Sequence, residues 1–346
     1  MDPVSGKGQA ADAAVRAAAW ATMATSRSTI VVTHANPDAD AVASALAVAH
    51  ALTACGAAVQ VATGDGKLPG NLAFLPGTDM LKPPAGLSIA DVDLVVAVDC
   101  ADGDRLGPLS TLHPDWFDGS HPLVNIDHHI TNVGFGTIDL IDPSAAATSE
   151  VLALLFLDAE VPISAEMATC LVAGIYGDTL GLQTPSTTSR TIRLVAELVD
   201  HDADLMTVVD KLFRMKPFST VKLYGLALSA AQRLGDVVWT ELTAEMLAAS
   251  HAQESEGEGI VNFIAGTEDA RVAVLFYRHG DGYRVSMRAV ADEEDVSRLA
   301  ALYGGGGHAR AAGCRLPPGE AARDAFLRDI AERASPHPTR AQPMER

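Results

Sequence analysis

Four short runs of β-branched and apolar residues, 29–33, 59–63, 94–98 and 123–126, lie in the first part of the chain with turn-forming residues on each side. Runs of this length without polar alternation predict strands buried on both faces. Between the first two, 40–54 reads as a helix that stops at Gly56. Strand followed by helix followed by strand predicts an α/β fold, a parallel sheet with helices on both faces. Further helices are predicted over 148–157, 165–176, 189–199 and 218–233.

From Val237 the pattern changes. Strand-like stretches at 237–241, 272–278 and 283–288 follow one another, then comes the glycine run Gly304 to Gly307 and a helix over 320–333. This is an α+β pattern and predicts a second, smaller domain. The expected division is an N-terminal extension 1–20, a larger α/β domain 21–190, a helical linker 191–233, a smaller domain 234–334, and a proline-containing tail 335–346 that is expected to be disordered. Any active site is expected in a cleft between the two domains.

Composition narrows the function. Of 346 residues, 48% are hydrophobic and 20% charged, as in a folded globular protein. No apolar run reaches the ~18 residues a membrane span needs, and 1–26 lacks the basic start and apolar stretch of a signal peptide. Cys55, Cys100, Cys170 and Cys314 are scattered without a C-x-x-C pair, which argues against a zinc knuckle, a disulfide framework or a redox motif. A cytoplasmic protein without a membrane partner is expected. The formal net charge of −19 argues against gripping long nucleic acid, which calls for a basic face. An anionic substrate should be small and held locally.

Four places carry ionisable residues that solubility does not require: His34, Asp38 and Asp40 in H-A-N-P-D-A-D; Asp99; Asp127, His128 and His129; and Asp178 in G-D-T. The first three follow predicted strands, and the carboxyl edge of a parallel sheet is where ligands bind. Singly each has an ordinary reading, an aspartate as a helix N-cap or a histidine pair as surface. Together they describe one site. Four carboxylates (Asp38, Asp40, Asp99, Asp178) in one crevice repel one another unless cations are present. Two divalent ions would balance them, and His34 and His128 add neutral nitrogen ligands. Oxygen and imidazole without thiolate favour Mn²⁺, with Mg²⁺, Co²⁺ and Fe²⁺ as alternatives. A shared carboxylate would set such ions ~3.5–4 Å apart.

His34-Ala-Asn-Pro-Asp38-Ala-Asp40, Val98-Asp99, Asn125-Ile-Asp127-His128-His129 and Gly177-Asp178-Thr179 resemble the four motifs of the DHH phosphoesterases. Glu258-Gly-Ile-Val-Asn262, Val285-Ser-Met-Arg288 and Gly304-Gly-Gly-Gly-His308 resemble the DHH-associated substrate domain. Within that superfamily the chain is similar to the bacterial nano-RNases that also dephosphorylate pAp (3′-phosphoadenosine 5′-phosphate). The resemblance implies one metal on His34, Asp38 and Asp99 and another on Asp40, Asp99, His128 and Asp178, with Asp99 bridging. It implies that His129 contacts the scissile phosphate and that Asp127 orients a ligand imidazole. Arg288 and His308 would hold the second phosphate or the nucleotide, and the backbone of Gly305, Gly306 and Gly307 would donate N–H groups. Arg310 is a further substrate contact on this reading, and Arg105 would reach substrate or pair with Asp104.

The implied activity is hydrolysis of short oligoribonucleotides or dinucleotides to mononucleotides and of pAp to AMP, with cyclic dinucleotides as further candidates, by a homodimer. Two positions depart from the family pattern: Leu180 stands where glycine is frequent, and Leu182 where an aromatic is. Asp178-Thr-Leu and Thr184-Pro-Ser-Thr-Thr also resemble manganese pyrophosphatases, which lack the G-G-G-H segment. Single-strand exonucleases of the superfamily carry basic grooves that this sequence does not show. A non-catalytic nucleotide sensor would have lost ligands, and all six are here.

Overall fold

The structure, a computed structural model, describes residues 5–280, 282–291 and 293–334; the tail 335–346 and the side chain of His308 lie outside the described residues. The chain forms two compact units, Met1–Met215 and Lys216–Arg346.

In the first unit β1 (Ser28–Thr33), β2 (Ala58–Thr63), β3 (Leu94–Val98), β4 (Leu123–Asp127) and β5 (Ile138–Ile141) form one parallel sheet in the order β2-β1-β3-β4-β5. Alternate residues of each strand face opposite sides. Val31, Val96, Val98, Val124 and Ile126 enter the larger core, with α2 (Ala39–Ala54), α4 (Thr148–Asp158) and α5 (Ala165–Asp178). Ile30, Val32, Val95, Ala97 and Leu123 enter a smaller core. That side is covered by α3 (Pro108–Leu112) and two 3₁₀ turns, through Leu106, Leu109 and Trp116. The helix α1 (Ser5–Ala24) buries Ala19 and Met23 and sets Trp20 edge-on to Phe156 of α4, so residues ahead of β1 belong to this core. The stretch read as a linker divides: α6 (Ser189–Asp200) and α7 (Leu205–Val209) lie in the first unit, α8 (Phe218–Ser229) in the second.

Strand order places the site. β2 lies on one side of β1 and β3 to β5 on the other, so the chain leaves β1 and β3 in opposite directions. The diverging connections open a crevice at the carboxyl ends of β1 and β3.

The second unit has a mixed sheet in the order β10-β11-β9-β8-β7-β6. Its strands are β6 (Gln232–Leu234), β7 (Val237–Leu242), β8 (Val272–His279), β9 (Gly282–Ala289), β10 (Gly306–His308) and β11 (Ala311–Leu316). Only β7 and β8 run parallel among neighbours. One face packs on α8 and α10 (Ile260–Ile264), the other on α11 (Val296–Ala301) and α12 (Glu320–Arg333); α9 (Ala244–Ser250) lies between β7 and α10 in the chain.

Two expectations are corrected here. The helix predicted over 218–233 stops at Ser229, because 232–234 pair with β7 across the two-residue turn Gly235-Asp236, with Gly235 at φ +57°. The glycine run, for which no regular element is predicted, is in part a strand. A Cβ at Gly307 would lie 2.5 Å from the Ala311 oxygen, so glycine is required where β10 closes on β11.

Candidate metal centre

Each first-unit residue singled out above sits at the carboxyl edge of the sheet or on a helix end that faces it. His34 follows β1, Asp99 follows β3, and Asp127 closes β4 ahead of His128 and His129. Asp38 caps α2, accepting from Ala41 N at 3.0 Å, so its ordinary role as an N-cap holds alongside any other. Asp178 ends α5. Asp99 turns the chain with φ +54°, a left-handed conformation that Asp tolerates better than most side chains.

These side chains converge. The two oxygens of Asp99 face different imidazoles: Oδ2 lies 3.6 Å from His34 Nε2, and Oδ1 lies 3.7 Å from His128 Nε2. His128 Nε2 is also 3.1 Å from Asp178 Oδ2. His34, Asp38 and Asp99 form one group, and Asp40, His128 and Asp178 another, each with ligand atoms within 4.8 Å of one another. Asp99, Asp127, His128 and His129 form a third overlapping group on the same criterion.

The surroundings aim these atoms inward. His34 Nδ1 donates to the Ala35 carbonyl at 2.8 Å, which leaves the Nε2 lone pair toward Asp99. His128 Nδ1 lies 3.4 Å from the Ala145 carbonyl, which leaves its buried Nε2 turned toward Asp178 and Asp99. Fully buried Asp40 accepts from Thr148 N at 2.6 Å and Ser149 N at 3.0 Å, the first turn of α4. The Thr148 hydroxyl donates to Asp99 Oδ1 at 3.0 Å. Small residues let α5 approach: a Cβ at Gly174 would lie 2.5 Å from Asp40 Oδ1, and one at Gly177 2.6 Å from Ala39 Cβ.

Asp127 holds a different ring from the one expected. Its Oδ1 accepts from His129 Nδ1 at 2.7 Å, and from the backbone N–H groups of His128 and His129 at 2.7 and 3.2 Å. The imidazole it orients is therefore that of His129. Adjacent residues on one turn bring His129 back over the carboxylate, whereas His128 points to the loop before α4.

Charge crowding shows in the protonation equilibria. Burial, then Asp99 and Asp178, push Asp38 up to about 6. The same causes raise Asp40 well above the usual carboxylate range. Burial would raise Asp99, but His34, His128 and His129 together hold it below the usual carboxylate range. Burial opposes the charge on His128, yet Asp178, Asp40 and Asp99 push it up to about 10. His129 is raised by its bond to Asp127. Protons thus collect where the chain has gathered too many acids. An oxygen and imidazole donor set, a buried ring nitrogen turned toward two carboxylates, and acids at Asp38 and Asp40 driven toward protonation together suit divalent cations.

A family model for the "DHH family, N-terminal domain" matches residues 28–175, and one for the "DHHA1 domain" matches 244–335. The "Bifunctional oligoribonuclease and PAP phosphatase NrnA" of Thermus thermophilus is 31% identical over 287 residues, 83% of each chain. The chain belongs to the DHH family. Among solved structures, an exopolyphosphatase-related protein from Bacteroides fragilis superposes with a TM-score of 0.83 at 22% identity, covering 92% of this chain and 96% of that one. The exonuclease RecJ bound to manganese superposes with a TM-score of 0.52 at 15% identity, covering 96% and 97%. These two show the shared fold.

The DHH signature conceals helpers that the sequence reading missed. Asn132 donates to Asp127 Oδ2 at 2.6 Å and to the Cys100 carbonyl at 3.0 Å, joining the D-H-H turn to the loop after β3. Thr148 and Ser149 fix Asp40 and Asp99 from more than 40 residues away. Buried Glu150 pairs with Arg190 at 2.6 Å and accepts from Thr191 Oγ1 and Ala146 N, bracing the same loop. Asn132 had a signal, an amide three residues past the second histidine; the others had none. Arg105 is exposed and forms no ion pair with Asp104; its carbonyl accepts from Ala35 N at 2.8 Å.

The remaining expected contacts lie in the second unit. Arg288 donates through Nε to Asn262 Oδ1 at 2.7 Å and through Nη1 to the Met287 carbonyl at 3.0 Å. Exposed Arg310 donates to the Ala291 carbonyl at 3.0 Å. Gly305 is pressed against Gly313 and Cys314, while Gly306 has open space about it. Gly304 and Gly306 both have open space about them, so the run leaves room for a ligand at those two positions.

Proposed function

We propose that this chain is a metal-dependent phosphoester hydrolase that cleaves dinucleotides and short oligoribonucleotides to mononucleotides and pAp to AMP, with cyclic dinucleotides as further substrates. The observation that carries it is Asp99, set with one oxygen toward His34 and the other toward His128. The name of the Thermus thermophilus relative supports the substrate class.

His34, Asp38 and Asp99 would hold one divalent ion and Asp40, Asp99, His128 and Asp178 a second, with Mn²⁺ favoured by the donor set. The chemistry such ions would supply, when bound by these residues, is charge neutralisation at the phosphate and a lowered pKa for a water. His129 donates its Nδ1 proton to Asp127, and because that carboxylate raises its proton affinity, the ring as imidazolium carries a second proton at Nε2 that would hydrogen-bond a phosphate oxygen. Thr148 keeps Asp99 from rotating, and the α4 amides do the same for Asp40. Arg288 and the chain around Gly306 bind the far phosphate or nucleotide, so that remote binding aligns the reacting bond. The net charge of −19 supports short substrates over long strands. The four free cysteines accord with a cytoplasmic enzyme, and a homodimer is part of this reading.

The test is a turnover panel of pAp, dinucleotides, cyclic dinucleotides, pentaribonucleotide and long single strands, run on chelated and Mn²⁺-loaded protein. Turnover of the small substrates that vanishes on chelation and returns with Mn²⁺ is expected. Full activity after chelation, or preference for the long strand, would overturn the reading.

A further inference from the structure

We propose that the second unit carries a phosphate-binding groove, built on Arg284 and Arg315, that takes the backbone of oligoribonucleotides longer than a dinucleotide. The proposal deepens the functional reading above and rests on it for the nature of the substrate.

Side chains alternate along β9. Tyr283, Val285 and Met287 enter the core with α11 and α12, which leaves Arg284, Ser286 and Arg288 on the other face. In the antiparallel register with β11, Arg315 stands opposite Arg284, and Gly313 opposite Ser286. Like charges directly opposite one another on neighbouring strands destabilise a sheet. An anion lying between the two guanidinium groups reverses the sign of that interaction.

The surface has room for one. Two hollows of about 400 and 320 Å³ share Arg284 and Arg315 in their walls. Ser286, Gly304, Gly305 and Gly313 also line the larger, and His279 the smaller. Arg284 is fixed in place, its guanidinium 3.7 Å from the Tyr277 ring centroid and its Nη2 2.8 Å from Glu254 Oε1. Glu254 is also 3.5 Å from His279 Nε2, and it lines neither hollow. Among the described residues Arg315 forms no ion pair, and the Ser286 hydroxyl makes no hydrogen bond. In a chain of net charge −19, an arginine without an ion pair set opposite a fixed one beside Gly304, Gly305 and Gly313 is a local concentration of positive charge that suits phosphodiester oxygens. Arg288 lies four residues along the same strand, about 14 Å at the usual rise, so a single strand following β9 meets both positions.

The test uses the full chain with Mn²⁺ and the variants Arg315→Ala, Arg315→Glu and Arg315→Lys, Arg315 being exposed and free of packing duties. Hydrolysis of a pentaribonucleotide is compared with that of a dinucleotide, and binding of a non-hydrolysable phosphorothioate pentaribonucleotide is titrated against salt. Arg315→Ala should lower the pentamer-to-dinucleotide ratio of kcat/KM about tenfold. Arg315→Glu should lower it further, and Arg315→Lys should retain most of it. The slope of log affinity against log salt should become shallower by about 0.7 for the pentamer in Arg315→Ala. An unchanged length ratio with unchanged pentamer binding overturns the groove. Loss of pentamer binding in an enzyme whose parent hydrolyses neither substrate would leave the groove standing and sink the functional reading instead.

Discussion

Asp40 and Asp127 in the first unit are gripped by backbone: two amides of α4 for one, the amides of His128 and His129 for the other. Arg288 and Arg284 in the second unit are held mostly by side chains, through Asn262, Glu254 and the Tyr277 ring. The contrast suits the tasks proposed for the two units. A proposed ligand such as Asp40, or a carboxylate that aims a ring as Asp127 aims His129, must hold its place under mutual repulsion, and backbone amides at a helix start or strand end cannot swing away. Groups that recognise a phosphate gain from a side-chain partner that gives way when the anion arrives. Disruption in the first unit should therefore abolish chemistry, and disruption in the second should change which molecules are processed.

The largest effect is expected at the shared carboxylate. Asp99→Ala removes a contact to both histidines and should lower turnover of every substrate by roughly a thousandfold or more. Activity within tenfold of the parent would break the contrast on its first side.

Arg288→Ala tests the other side. It should cost about tenfold to a hundredfold in kcat/KM for pAp or a dinucleotide, and spare a minimal ester such as bis-p-nitrophenyl phosphate. Equal losses on both would place Arg288 in the chemical step.

A pH series sharpens the electrostatic part. In the metal-free protein His128 is pushed from 6.5 up to about 10 by its carboxylate neighbours. The folded state then binds more protons than the unfolded state across that window. Stability from the charged ring is full below 6.5 and lost as pH rises through about 10. Metal-free protein should melt at lower temperature as pH rises, while Mn²⁺ binding, which needs the neutral ring, should stabilise more at about pH 8.5 than at about pH 6.5. A metal increment that shrinks over this range would contradict the assignment of His128 as a ligand.

The smallest effect concerns Leu180, half exposed at φ +50° in the turn after Asp178. A leucine held there is strained by roughly 1–2 kcal/mol, partly offset by the greater unfolded freedom of glycine. Leu180→Gly should raise stability in denaturant titration by about 0.5–1 kcal/mol. A loss would mean that the leucine packs in a way that outweighs its backbone.

What could be read in the chain tracks how local each signal is. β1, β3 and β4 are continuous apolar runs because both sheet faces are covered, and a charged residue straight after such a run marks the sheet edge. The places of His34, Asp99 and the Asp127-His128-His129 turn at that edge were legible for that reason, whereas Asp38 and Asp40 start α2 and Asp178 ends α5, and these were read from their motifs. β5 was not, because four residues with a polar one among them, Ile138-Asp-Leu-Ile141, carry too little pattern. β6 escaped although Gly235-Asp236 is a recognised two-residue hairpin signal, since the apolar stretch before it continues α8 without a break. The partners of Asp40 escaped for a deeper reason: hydrogen bonds spanning 108 and 109 residues leave no trace in spacing. The ring held by Asp127 is set by the path of the turn after β4, which the residue types alone do not specify.

The proposal that the first unit would bind two cations, with Asp99 serving both, is tested most directly by calorimetric titration of the metal-free chain with Mn²⁺. Two ions bound per chain in the parent, with both sites weakened together in Asp99→Ala, is the predicted result. A single ion in the parent, or two ions bound undiminished in Asp99→Ala, would contradict it.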